Sequence, residues 1–200
     1  MSADWELLQP DFRILVVCTA NICRSPLAER LLQASFDDLA PGQFAVGSAG
    51  TSGLDGWDPD PHIQMLAAEH SVSLAGFSSR QVEPDMVNEA DLVLTMAREH
   101  RRYIVELVPT AVRRTFTLRE FARLLPFIPP EETALPAQRW HSLAALAQRY
   151  RRAAPGEQTA DDVVDPYRCS DAVYQNMLEQ LLPAAEALSV WERRAQAKER

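Results

Sequence analysis

The segment Ile14–Pro26 constrains the fold most, because a buried-strand pattern, a short loop and a helix start follow one another directly. The aliphatic run ends at Cys18, Arg24 comes six positions later, and Ser25 and Pro26 supply an N-cap and the proline favoured at the first helical position. We therefore expect the backbone N–H groups of residues 19–24 to converge on one point at the carboxyl end of a strand.

Such a loop favours a tetrahedral oxyanion, because amide donors, the positive end of a helix dipole and a bidentate guanidinium meet there. The same surroundings favour a thiolate at Cys18, so we expect this sulfur to be ionised at neutral pH. A thiolate beside a bound phosphate predicts covalent catalysis through a phosphocysteine, with Arg24 stabilising the equatorial oxygens. Ser25 is a candidate hydrogen-bond donor to the sulfur. A bare Cys/Arg spacing is also compatible with a small buried cysteine, but the strand before it and the Ser-Pro pair after it favour the anion site.

The residues Val17–Pro26 resemble the signature of the low-molecular-weight protein tyrosine phosphatases, and Asp165-Pro166-Tyr167 resembles that family's second hallmark. Gly47–Thr51 and Leu92–Met96 resemble its segments after the second strand and at the third. The similarity covers roughly residues 12–109 and 161–190.

The resemblance implies a metal-free and cofactor-free phosphatase acting on a phosphotyrosine protein or a small aryl phosphate, with a cognate tyrosine kinase as a candidate partner. Cys18, Arg24 and Asp165 are the implied catalytic residues, and Asp165 is the general acid and base. By turn chemistry alone Asp161, Asp162 and Asp165 compete for that role.

The implied phosphate-binding residues are Thr19, Ala20, Asn21, Ile22, Cys23, Arg24 and Ser25. Ser48 is implied as a loop support, with Tyr167, Leu54 and Trp57 as a substrate wall.

Three departures from the family pattern stand out. Ala20 occupies a usual glycine position, so a positive φ there would add strain of ~1 kcal/mol or more. Phe77 replaces a histidine that often braces the asparagine matching Asn21, and the loop at 51–57 is shorter than in the family pattern, which displaces Trp57.

Cys23 matches a second cysteine that can trap an oxidised nucleophile as a reversible disulfide in this family. The alternative is a packing residue without a redox role. We expect Cys169 to be structural.

The pattern of strands and helices predicts an α/β fold of three layers, with a four-stranded parallel sheet and helices on both faces. Strands are predicted at 12–17, 44–47, 92–96 and 115–118. Helices are predicted at 25–35, 61–70, 84–88, 98–108, 118–125, 137–152 and 170–191. We expect one phosphatase domain at 12–195, after an N-terminal extension at 1–11.

A Pro/Arg-rich helical insert is predicted at about 126–160, and it is a candidate specificity or partner element that packs on the sheet or overhangs the site. His141 within it is expected to be a surface or packing residue.

Three cysteines and the absence of a signal-like or membrane-spanning N-terminus predict a cytoplasmic protein that does not bind membranes. The net charge of −8 disfavours nucleic-acid binding. Arsenate reduction on the same fold and non-catalytic phosphate binding are the alternative functions.

Overall fold

The computed structural model describes residues 10–129, 135–151 and 161–198. A four-stranded parallel sheet forms its centre, in the order β2-β1-β3-β4. The strands are β1 (Phe12–Cys18), β2 (Phe44–Gly50), β3 (Leu92–Thr95) and β4 (Thr115–Thr117). The helices are α1 (Arg24–Leu39), α2 (Pro61–Glu69), α3 (Pro84–Glu89), α4 (Arg98–Leu107), α5 (Leu118–Leu124), α6 (Pro136–Tyr150) and α7 (Asp171–Lys198), and two short 3-10 helices cover Pro109–Arg113 and Leu125–Phe127.

Both faces of the sheet are buried, which explains why β1 is a continuous aliphatic run rather than an alternating one. Ile14 and Val16 pack into the larger core, formed with α1, α2, α5, α6 and α7. Leu15 and Val17 pack into a smaller core with α3 and α4 on the opposite face. The predicted three-layer α/β fold is therefore confirmed.

The connections on the two sides of β1 run in opposite directions through the sheet. The chain passes from β1 to β2 at one edge and then returns to β3 on the other side of β1. Open α/β sheets bind ligands at such a switch point, beyond the carboxyl ends of the strands. The loop after Cys18 and the start of α4 after β3 both lie at this rim.

The helix α6 packs at the opposite end of the sheet from this rim. Trp140 meets Phe12 and Phe44, the first residues of β1 and β2, with ring centroids 5.9 and 5.6 Å apart. The described part of the predicted insert therefore packs on the core and does not overhang the carboxyl ends of the strands. His141 lies against Phe12 and Asp91 with a side chain that is 52% exposed, in keeping with the surface or packing role expected of it. Residues 1–9 of the predicted extension, and 130–134 and 152–160 of the insert, lie outside the described residues.

A fully buried ion pair joins α6 to α7. Arg139 Nη2 lies 2.8 Å from Glu192 Oε1, and the Trp140 indole N–H donates to Glu192 Oε2 at 3.0 Å. Both charged side chains are 0% exposed. Removing one partner of a buried pair strands the other charge in a low-dielectric interior.

Glu192→Ala should therefore lower the free energy of unfolding by ~3–5 kcal/mol. Chemical denaturation at neutral pH measures this change, with Glu186→Ala, an exposed glutamate on the same helix, as the matched control. A loss below ~1 kcal/mol, the range of exposed pairs, would contradict the structural role assigned to this pair.

Among the described residues, no helix combines the length and apolar character needed to cross a membrane.

Candidate active site

The loop between β1 and α1 turns its carbonyl groups toward the segment that follows β2. The carbonyl oxygens of Cys18 and Thr19 accept hydrogen bonds from the N–H groups of Thr51 and Ser52, both at 2.9 Å. Ala20 and Ile22 carbonyls are bonded in the same way by later residues of that segment. Within the described chain, the N–H groups of residues 19–23 have no backbone acceptor. Unpaired backbone N–H groups are what an oxyanion-binding loop requires, and anion binding by this loop stays a prediction.

Gly50 allows this close approach of the two segments. A Cβ atom at Gly50 would lie 2.4 Å from the Thr19 carbonyl oxygen, a distance that forces the backbone to move. Gly50, the second glycine of the Gly47–Thr51 motif, is thus required by packing against the loop.

Asn21 holds the turn of the loop. Its φ of 58° is left-handed, a conformation that asparagine tolerates better than most residues. Its Nδ2 donates to Ser25 Oγ at 2.9 Å and to Ser48 Oγ at 2.8 Å, and its Oδ1 accepts from the Arg80 N–H at 3.0 Å. Ala20 does not take a positive φ, so the condition under which strain was expected there is not met.

Cys18 and Ser25 are in direct contact at the centre of the loop. The Sγ to Oγ distance is 2.9 Å and both residues are buried. Because Ser25 Oγ accepts from Asn21, the serine hydroxyl proton is left to donate to the sulfur. The predicted N-cap role of Ser25 is wrong, since α1 begins at Arg24 and Ser25 lies in its first turn with its hydroxyl turned to Cys18.

Arg24 is buried and its guanidinium is held at both ends. Nη1 donates to the Val163 carbonyl at 3.1 Å, and Nη2 donates to Asp165 Oδ2 at 2.5 Å and to Thr19 Oγ1 at 3.2 Å. Nε has no hydrogen-bond partner among the described residues. The guanidinium therefore retains a donor for an additional acceptor, and it brings the segment around Asp165 to the loop across 141 positions of sequence.

The three competing aspartates occupy different environments. Asp161 pairs with Arg123 at 2.9 Å, and Asp162 pairs with Arg98 at 3.0 Å while also accepting from the Arg98 backbone N–H. Asp165 has a side chain that is 49% exposed and faces Arg24. Asp161 and Asp162 thus fasten the segment to the helices, and Asp165 is the aspartate available at the loop.

The predicted wall residues are placed unequally. Leu54 is half-buried, and its N–H donates to the Ala20 carbonyl of the loop at 3.3 Å. Tyr167 is half-buried beside Asp165, whose Oδ1 accepts from its N–H at 3.2 Å. Trp57 is 57% exposed and is anchored by backbone hydrogen bonds to Leu54 and Ser79.

Cys23 is a buried free thiol inside the loop. Burial, reinforced by the charge of Asp60, raises the pKa of Cys23 above its ordinary value. It is therefore protonated at neutral pH, and it forms no disulfide with Cys18 in this structure.

Glu29 supports Ser48 from below the loop. The Ser48 hydroxyl donates to Glu29 Oε2 at 2.6 Å, in a chain of contacts that continues through Asn21 to Ser25 and Cys18. Burial raises the pKa of the Glu29 carboxyl, because the charged form loses its hydration.

This shift gives Glu29 a defined effect on stability. A carboxyl whose pKa is raised in the folded state keeps its proton up to a higher pH in the native than in the unfolded state. The free energy of unfolding therefore falls as pH rises above the ordinary glutamate range. Glu29→Gln removes this titration and should flatten that fall. Denaturation at pH 5 and pH 8 measures it, beside the exposed control Glu69→Gln; equal pH slopes in wild type and Glu29→Gln would contradict it.

Sequence reasoning missed His100, which lies in the first turn of α4 at the same rim. Its Nε2 is 2.9 Å from Thr19 Oγ1, and only 2% of the residue is exposed. A histidine just after a strand whose carboxyl end borders the loop was the available signal. Arg80 was missed too; it also donates through Nε to the Ser48 carbonyl.

No group of three or more potential metal ligands occurs among the described residues.

Fold and site together define an α/β protein with a cysteine-centred loop at the switch point of a parallel sheet. A family model described as low molecular weight phosphotyrosine protein phosphatase matches residues 13–125. The chain belongs to this family.

Curated relatives include the low molecular weight protein-tyrosine-phosphatase Wzb of Escherichia coli K12, 45% identical over 96 residues, which are 48% of this chain and 62% of the relative. The corresponding Ptp of Acinetobacter johnsonii is 33% identical over 105 residues, covering 52% of this chain and 70% of the relative. The match therefore spans less than two thirds of the Wzb relative.

Solved structures match over more of the chain. The YwlE arginine phosphatase from Geobacillus stearothermophilus has a TM-score of 0.67 and 27% identity, covering 94% of this chain and 97% of its own. The Erwinia amylovora tyrosine phosphatase amsI has a TM-score of 0.63 and 25% identity, covering 88% and 89%.

Proposed function

We propose that this protein is a metal-independent phosphotyrosine phosphatase that works through a phosphocysteine intermediate. The contact that carries the proposal joins the two halves of the site: Asp165 lies 2.5 Å from Arg24 in the loop centred on Cys18. A nucleophile, an oxyanion cradle and a carboxyl group are thereby within reach of one phosphoryl group. We also propose that residues 12–195 form one phosphatase domain.

In the first step the Cys18 thiolate attacks phosphorus, the S–P bond forms and the bond to the phenolic oxygen breaks. Arg24 and the amides of residues 19–24 bind the equatorial oxygens, and Asp165 gives its proton to the departing oxygen. In the second step the Asp165 carboxylate takes a proton from water, the water oxygen attacks phosphorus and the S–P bond breaks. The hydroxyl of Ser25 then stabilises the released thiolate.

The rim of the site supports an aryl substrate. Leu54 and Tyr167 are half-buried beside the loop. Apolar surfaces of this kind favour a flat ring over a charged side chain. A phosphotyrosine protein in the cytoplasm, phosphorylated by a cognate tyrosine kinase, fits this chemistry, as does a small aryl phosphate.

Phosphoarginine is the second candidate substrate, because the similar YwlE structure is that of an arginine phosphatase. Arsenate reduction and non-catalytic phosphate binding are not favoured, since the relatives and the two similar structures named above are all described as phosphatases.

One substrate panel separates these functions. The purified full chain is assayed with a phosphotyrosine peptide, a phosphoarginine peptide, and arsenate with a small thiol, and phosphate release or arsenite formation is measured. We expect kcat/KM to be highest for phosphotyrosine. Faster release from phosphoarginine would reassign the substrate, faster arsenate reduction would make it a reductase, and phosphate binding without turnover would make it a regulator.

Redox control through Cys23 is a further part of the proposal. A peroxide would oxidise the Cys18 thiolate to a sulfenic acid, and the Cys23 thiol would displace water from it to form a disulfide. Wild type inactivated by mild peroxide should then recover with a dithiol, whereas Cys23→Ser should recover less. Equal recovery of the two proteins, measured by residual phosphatase activity, would exclude this role.

A further inference from the structure

We propose that His100 is a positioning residue that orients the guanidinium of Arg24 through the hydroxyl of Thr19. The three side chains form one row: His100 Nε2 lies 2.9 Å from Thr19 Oγ1, and Thr19 Oγ1 lies 3.2 Å from Arg24 Nη2. They come from three parts of the fold, since His100 belongs to α4, Thr19 to the loop after β1, and Arg24 is the first residue of α1. A cavity of about 240 Å³ borders the row, lined by Thr19, Thr51 and the solvent side of α4.

The neighbours of the imidazole assign its proton to Nε2. The carboxylate of Glu99, which can only accept a hydrogen bond, lies 3.5 Å from Nε2, and Thr19 Oγ1 is the other neighbour of this nitrogen. Nδ1 is buried and has no partner among the described residues. The ring therefore donates from Nε2 to Thr19, and the same hydroxyl oxygen accepts from Arg24.

The imidazole acts in its neutral form. Burial, together with the positive charge of Arg24, lowers the pKa of His100 to about 4. At neutral pH the ring is thus a hydrogen-bond donor without a charge of its own. It orients Thr19 without adding a cation beside the arginine that must bind an anion.

The catalytic cycle makes this support necessary. Asp165 contacts Arg24 in the structure, but it has to face the leaving oxygen when it gives up its proton. Arg24 then keeps the Val163 carbonyl at one end and Thr19 at the other. A Thr19 hydroxyl held by a buried imidazole fixes that second end, and a correctly aimed guanidinium stabilises charge that develops in the transition state.

The test compares two pairs of variants of the full chain. His100→Leu and Thr19→Val remove the hydrogen bond, while His100→Gln and Thr19→Ser keep a donor and a hydroxyl. The readouts are kcat and KM for p-nitrophenyl phosphate, and the Kd of inorganic phosphate by calorimetry. The exposed His70→Gln is the control, and thermal melting reports folding.

We expect His100→Leu and Thr19→Val each to lower kcat about 10-fold with a smaller change in KM, as for loss of a hydrogen bond that positions a charged group. The double variant should be no worse than the poorer single one, because both act through the same contact. The conservative variants should keep at least about a third of wild-type kcat. Equal damage by His100→Gln and His100→Leu, or multiplicative effects in the double variant, would overturn the proposal.

Two outcomes keep the test decisive. If His100→Leu does not fold, the comparison of Thr19→Val with Thr19→Ser decides, and equal kcat values for these two would overturn the inference. The kcat readout rests on the proposed function, whereas the phosphate Kd does not. A wild type that binds phosphate without turnover would refute the phosphatase, and weaker phosphate binding by His100→Leu but not by His100→Gln would still support the positioning role.

Discussion

Cys18→Ser should lower the kcat for p-nitrophenyl phosphate by at least ~10⁴-fold, because a serine hydroxyl is not ionised at neutral pH and the other thiol of the loop, Cys23, is buried with a raised pKa. Inorganic phosphate should still bind, since Arg24 and the loop amides are unchanged. Steady-state kinetics and calorimetry measure these two quantities on the same preparation.

Cys169→Ser is the matched control, because Cys169 is an exposed thiol close to the Asp165 segment rather than in the loop. It should leave kcat within about 2-fold of wild type. It should also leave the free energy of unfolding nearly unchanged, as most surface substitutions do. A Cys18→Ser protein with more than a tenth of wild-type turnover would contradict the assignment of the nucleophile.

Asp165→Asn should have the second largest effect, and the loss should depend on the leaving group. For a phosphotyrosine peptide we expect kcat to fall ~10²- to 10⁴-fold, the usual contribution of a positioned acid. For p-nitrophenyl phosphate the fall should be smaller, because nitrophenolate departs without needing a proton. Asparagine keeps the shape of the side chain and its contact with Arg24, so binding should change little.

Asp162→Asn tests the competing aspartate. Asp162 is bonded to Arg98 by its carboxylate and to Arg119 by its carbonyl, so its substitution should reduce stability rather than proton transfer. The ratio of kcat values for the two substrates should therefore stay at the wild-type value. A ratio that changes in Asp162→Asn and not in Asp165→Asn would transfer the acid role to Asp162.

The sheet could be predicted from the sequence because its strands are buried on both faces. Aliphatic runs such as Ile14–Val17 and Leu92–Leu94 are long enough to mark strands, and the helices between them begin with prolines at Pro61 and Pro84. The predicted bounds of β2, 44–47, are too short, because the strand covers Phe44–Gly50. Its last residues, Ser48–Gly50, are small, and Ser48 and Gly50 lie against the loop, so β-propensity does not mark them.

The site was predictable where its residues are close in sequence and less so where they meet across the fold. Cys18, Arg24 and Ser25 lie close together in the sequence. The prediction of Ser25 as a helix cap is wrong, because its contacts with Asn21 and Cys18 depend on the loop conformation. The supports His100, Glu29 and Arg80 reach the loop from other elements, and their types are equally common on solvated helix faces. Only the tertiary packing separates them from surface charges.

The central claim is a covalent phosphoryl group on Cys18, and rapid acid quenching of Asp165→Asn during turnover of p-nitrophenyl phosphate tests it most directly. In this variant the first step needs no acid while the second lacks its base, so the phosphoenzyme should accumulate. Mass spectrometry of the quenched protein should locate one phosphoryl group on the Cys18 sulfur, and none in Cys18→Ser. Turnover without a trapped phosphoryl group, or a phosphoryl group on any other residue, would contradict the account.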